Sequence, residues 1–118
     1  MPAEVVEVEF LALIEHGRRF FTRKGVEFAF GERLAGVWED DGPSSHAAVV
    51  PLEDLEREFP KHLDGPDAGW VRGLVFRALA GDDPARLREE AIAEYTSRHG
   101  RAPRAQKWQV RRGAPDQR

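Results

Sequence analysis

The chain has 118 residues, 41% hydrophobic and 33% charged, with no cysteine and a net charge of −3. This balance fits a single globular α+β domain and excludes disulfides, thiolate nucleophiles and a disordered or fibrous chain. No apolar run approaches the roughly 20 residues that a bilayer span needs, and the acidic N-terminus lacks the basic start of a secretory signal. A cytoplasmic location with no membrane partner is the expectation.

Residues 4–14 alternate Val6, Val8 and Phe10 with Glu7 and Glu9, a strand pattern with one wet face; a helix through Val6, Phe10, Leu13 and Ile14 is the rival. His16-Gly17 reads as a turn into a strand at Arg18–Thr22, and Lys24-Gly25 as a second turn into Val26–Phe30. After punctuation at Gly31–Arg33, strands follow around Val37 and Trp38 and over His46–Val50, separated by the turn signal Asp40-Asp41-Gly42-Pro43.

Pro51 suits a first helical turn, and Leu52, Leu55 and Phe59 continue at helical spacing until Pro60. Gly69–Ala80 fits both periods. Its two glycines and its aromatic and β-branched content favour a buried strand, although Val71, Leu74, Val75, Ala78 and Leu79 also suit a helix. The spacing predicts a helix over 84–98: Asp83 caps, Pro84 occupies the first turn, Leu87, Ala91, Ile92 and Tyr95 share a face, and Gly100 closes it. Trp108 and Val110 then alternate with Lys107 and Arg111, predicting an added edge strand at 106–112 before a frayed end.

The expected architecture is an antiparallel sheet of about five to six strands. Two helices, near 52–59 and 84–98, pack on one face. Residues 1–100 form the domain and 101–118 a basic C-terminal segment.

Catalytic and metal-binding patterns are not found. The histidines His16, His46, His62 and His99 never form a close ligand pair, and Pro60 breaks the helix that would align Glu58 with His62. Ser44-Ser45-His46 lacks a nucleophile elbow, and the acid pairs Asp40-Asp41 and Asp82-Asp83 are explained by a turn and a helix cap. Gly65, Gly69 and Gly73 match no phosphate-cradling loop. No catalytic residue, metal or cofactor is assigned.

Charge is the more informative signal. Residues 98–118 hold seven basic residues against one acid, a net +6, leaving −9 on the other 97. Such segregation marks either a segment for an acidic partner or a segment that folds back on its own acidic domain. The first reading names Arg101, Arg104, Lys107, Trp108, Arg111 and Arg112 as the partner surface of a non-enzymatic adaptor. A secondary basic patch, Arg18, Arg19, Arg23 and Lys24, interleaves with Phe20 and Phe21; with the C-terminal cluster it supports nucleic-acid binding as the alternative. A second alternative is a small-ligand pocket or enzyme lined by Trp38, Trp70 and Phe76. The sequence does not decide a homo-oligomeric state.

From Gly25 to Tyr95 the chain resembles the bacterial "luciferase domain" family and, more distantly, YjbR-type proteins. The resemblance rests on Gly25-Val26-Glu27-Phe28, Val50-Pro51-Leu52, Leu63, Pro66 through Val71, Asp82-Asp83 and the helix ending near Tyr95. It implies an α+β fold with Trp70 on a strand, and it transfers no catalytic residue.

Overall fold

The computed structural model describes residues 4–17, 23–40, 46–58, 63 and 65–112. Among these residues five strands run in chain order as β1 (Glu4–Gly17), β2 (Arg23–Ala29), β3 (Leu34–Asp40), β4 (His46–Pro51) and β5 (Ala105–Arg112). The helices are a 3-10 turn at Leu52–Asp54, α1 (Leu55–Glu58), α2 (Ala68–Leu79) and α3 (Pro84–His99). The sheet is antiparallel in the order β4-β3-β2-β1-β5. It is an α+β fold with the predicted meander and the predicted edge strand.

Strand β1 is longer than expected. His16-Gly17 is not a turn but the end of β1, opposite Lys24 and Arg23, and Lys24-Gly25 likewise lies within β2. The polar and glycine residues read as punctuation are tolerated because cross-strand pairing continues through them. The strand expected at 18–22 lies outside the described residues, as do the turn residues 41–45, Phe59 and the end at 113–118.

The larger correction concerns Gly69–Ala80. This stretch is helix α2, not a strand, so three helices rather than two cover the sheet, and Trp70 stands on a helix where the family resemblance implies a strand. Burial explains the outcome. Val71, Leu74 and Ala78 are at most 6% exposed and share one helical stripe, whereas Phe76, which strand alternation would bury, is 62% exposed. Both glycines face open space, so packing does not demand them there.

Helix α3 forms as its signals predict. Asp83 accepts from the Ala85 N–H at 3.3 Å, Pro84 occupies the first position, and Gly100 closes the last turn at φ 75°. On its outer surface Glu94 and Arg98, four residues apart, meet at 2.6 Å.

One face of the sheet packs on the helices through Leu11, Leu13, Ile14, Val26, Phe28, Ala35 and Val37, against Leu52, Leu55, Leu63, Val71, Leu74, Leu87, Ala91 and Tyr95. Leu13 is an extra residue in β1. The register runs Ala12↔Glu27 and then Ile14↔Val26, so a bulge sends Leu13 and Ile14 to the same side.

The opposite face carries a second cluster of Val8, Phe10 and Ala29, with Val6, Leu34, Val49, Trp108 and Val110 against it. In a flat sheet β5 and β3 would lie roughly 14 Å apart, at about 4.8 Å per strand, beyond the reach of one side chain. Yet the Trp108 ring of β5 touches Gly36 of β3. The sheet therefore curls toward this face and makes it concave.

Candidate functional site

The residues 98–112 singled out by charge do not form one uniform surface. Arg98 pairs with Glu94 and lies over the Trp70 ring at 5.6 Å, and Arg101 lies over Tyr95 at 5.6 Å. Arg104 donates to Glu15 across the β1–β5 edge and stands 5.9 Å from the Trp38 ring centroid. Its placement follows from the backbone, because the Ala12 N–H donates to the Arg104 carbonyl at 2.8 Å. These arginines fold back on the domain's own acids and aromatics.

Lys107 and Arg111 differ. Strand alternation turns them away from Trp108 and Val110, opposite Glu9 and Val5 of β1. Glu9 is already bonded to Arg88 of α3 at 3.1 Å, and both Lys107 and Arg111 are exposed. Among the described residues no ion pair holds either cation. Arg112 lies opposite Glu4 in the ladder, with its side chain outside the described set. In the secondary patch, Arg18 and Arg19 fall outside the described residues, and only the backbones of Arg23 and Lys24, opposite Asp40 and Glu39, are placed.

The third set of candidates is not brought together. Trp38 faces the concave side of β3, whereas Trp70 and Phe76 stand on α2 in the other layer. Trp70 lines a groove of about 490 Å³ with Arg77, Glu90 and Glu94, and Phe76 lines a separate pocket of about 100 Å³ with Leu52, Leu55 and Leu63. The Trp70 indole donates to Asp67 Oδ1 at 2.9 Å, and the other Asp67 oxygen lies 3.0 Å from His99 Nε2. This cluster ties the start of α2 to the end of α3.

The concave face holds residues that sequence reasoning passes over. Glu27 has no exposed surface, and it is the one buried charged residue among those described. Its Oε2 accepts a hydrogen bond from the Gln106 side chain of β5, while its Oε1 is buried with no hydrogen-bond partner. Burial pushes its pKa above the ordinary carboxylate range, and the Gln106 bond only partly offsets this.

Two indoles lie over glycines of the same face. Gly25 lies two residues before Glu27 on the same face, and a Cβ there would stand 2.6 Å from the Trp38 ring; Gly36 lies directly opposite Glu27, and a Cβ there would stand 2.8 Å from the Trp108 ring. Only glycine lets the indoles lie this close to the sheet. Phe10 backs Trp108 at a ring separation of 4.8 Å.

A signal for this arrangement exists in the hairpin. Counting outward from the Gly31–Arg33 turn places Trp38 opposite Gly25 and Gly36 opposite Glu27. The contribution of β5 is not countable, because its register on β1 depends on a connection through three helices.

A strongly ionised cluster also lies outside this face. Arg77 donates to Asp82 at 2.9 Å and to both oxygens of Glu90, at 2.6 and 3.0 Å, raising its own pKa. Asp82 is held below its usual value first by the Asp83 N–H and then by Arg77, and Glu90 is lowered chiefly by Arg77. This knot joins α2 to α3.

Among the described residues no group of three or more His, Cys, Asp or Glu could hold a metal, and no helix is long and apolar enough to cross a membrane. Comparison with family models, curated proteins and solved structures gives no match to this chain.

Proposed function

We propose that this chain is a non-enzymatic binding module that takes an acidic, extended protein segment along the edge strand β5. The observation that carries this reading is the pair Lys107 and Arg111. Both are exposed two turns of the pleat apart on an edge strand and held by no acid among the described residues. An edge strand offers backbone donors and acceptors to an added strand, and cations at alternate positions would select carboxylates in it. Arg101 and Arg104 would then support the surface from behind, since both are engaged within the domain.

A labelled acidic peptide of about ten residues, titrated at about 50 mM salt, tests the proposal, since charge contacts weaken steeply as salt rises. Saturable binding that protects the outward amides of β5 from exchange, and that is lost in Lys107→Glu/Arg111→Glu, is expected. Binding that survives this double reversal would overturn it. So would tighter binding of an oligonucleotide with equal charge, which would transfer the surface to nucleic acid.

A further inference from the structure

The carboxyl of Glu27 is not explained by the fold. A buried acid with one unpartnered oxygen destabilises the native state, and a glutamine or an apolar residue of similar volume would serve the core better. Its surroundings are equally specific. Two glycines hold two indole rings close to the sheet on either side of it, at a cost in strand stability that interior glycines generally carry. The acid and the indoles together have the chemistry of a cation receptor. A carboxylate oxygen accepts the N–H of an ammonium group, and indole faces attract its charge.

We propose that the concave face of the sheet is a binding site for an ammonium group, held by Glu27 Oε1 between the rings of Trp38 and Trp108. This site is separate from the outward cations of β5 and does not depend on them. The molecule already shows the compatibility of one wall with a cation, since the Arg104 guanidinium stands 5.9 Å from the Trp38 ring centroid. A metal ion fits poorly, because the described residues offer no second and third carboxylate or imidazole beside Glu27. Gln106 fills Oε2 and so leaves a single acceptor, which suits one donor rather than the paired donors of a guanidinium. Entry is through Trp108. It is only part-buried and stands on the edge strand, so rotation of its side chain, rather than movement of the helix layer, would admit the ligand.

Two sources share this chemistry, a free aliphatic amine and a lysine side chain of another protein. The test therefore uses n-butylammonium in one arm and a short lysine-containing peptide, with its lysine-acetylated form, in the other. Two of the chain's three tryptophans flank the site, so their emission reports occupancy. A saturable change with either probe supports the site, and the arm that responds identifies the source. In Glu27→Gln the affinity should fall by about tenfold or more, equivalent to about 1.4 kcal/mol. That variant should remain folded, and circular dichroism checks this.

In Lys107→Glu/Arg111→Glu the affinity for the amine should stay unchanged, which separates this site from the acidic-partner surface. No saturable response to either cation would overturn the proposal. Equal binding by Glu27→Gln, or an equal response to n-butanol or to the acetylated peptide, would do so as well.

Discussion

The two faces of the sheet are built by different rules. The core of the helix-covered face is apolar, from Leu11 and Phe28 to Leu87 and Tyr95. The concave face has fewer apolar residues, yet it places a carboxyl, an amide, two glycines and two indoles within one patch. One face supplies the stability that the other spends on polar burial and on glycine. A core can be assembled from many sequences of suitable volume, whereas a buried acid on a face that two glycines open to indoles has few substitutes.

The comparison is sharpened first by truncating the helix-covered face. Phe28→Ala should cost about 3–5 kcal/mol and Leu87→Ala about 2–5 kcal/mol, measured by denaturant unfolding. A cost below about 1 kcal/mol would show that the helices are not packed there as described.

On the concave face, Gly36→Ala and Gly25→Ala should each cost about 1–3 kcal/mol, because the indole overhead must shift. The same variants should change tryptophan emission, which Leu87→Ala should leave nearly unaltered.

Glu27→Gln should move the other way, stabilising by about 1 kcal/mol near neutral pH. The sign follows from linkage. The folded pKa is raised, so the contribution of Glu27 is fully favourable below the unfolded value of about 4.5 and is lost as pH rises through the folded value. The described groups facing it across the ladder are Ala12, Gly36 and, from β5, Gln106, none of which carries a charge. Unfolding measured from pH 4 to 8 in parent and variant should therefore diverge with rising pH. The divergence grows by about 1.4 kcal/mol for each pH step over which the unfolded chain is ionised at Glu27 and the folded chain is not. Parallel curves would remove the buried-acid account.

Smaller effects belong to the surface. Arg77→Met should slightly weaken the joint between α2 and α3 and flatten the acid limb of the stability curve. Asp82 and Glu90 have lowered pKa values, so their contribution is present above the ordinary carboxylate range and is lost as pH falls through the lowered values. Lys107→Glu/Arg111→Glu should change stability by no more than about 0.5 kcal/mol while abolishing the acidic-peptide binding proposed above.

The legibility of these features in the sequence follows physical range. Helix α3 is readable because its cap, proline, stripe and closing glycine are local and agree. β5 is readable because Trp108 and Val110 alternate cleanly with Lys107 and Arg111. α2 misleads because two glycines and Phe76 lie on its outer side, where they imitate strand composition without bearing on burial.

Glu27 is legible as an alternating residue but not as a buried one. Its face looks solvent-exposed until β5, 79 residues further on, closes over it. The basic C-terminus is legible as charge, but its division into inward-paired and outward cations depends on register. In general, local agreement can be read and remote closure cannot.

The extra residue Leu13 has one more consequence, which concerns phase. Before it, the even-numbered residues of β1, such as Phe10 and Ala12, belong to the concave side; after it, Ile14 belongs to the helices and Glu15, opposite Gly25, returns to the concave side beside Arg104. One strand thus obeys two parities, and the bulge is the point of exchange. A β1 that alternated regularly through Leu13 would turn the Glu15 carboxylate toward the apolar layer and leave Arg104 facing an isoleucine, whereas deleting Leu13 would give a regular ladder with every side chain on the face it now has. Sidedness beyond this point is therefore carried by the bulge as much as by the kind of residue.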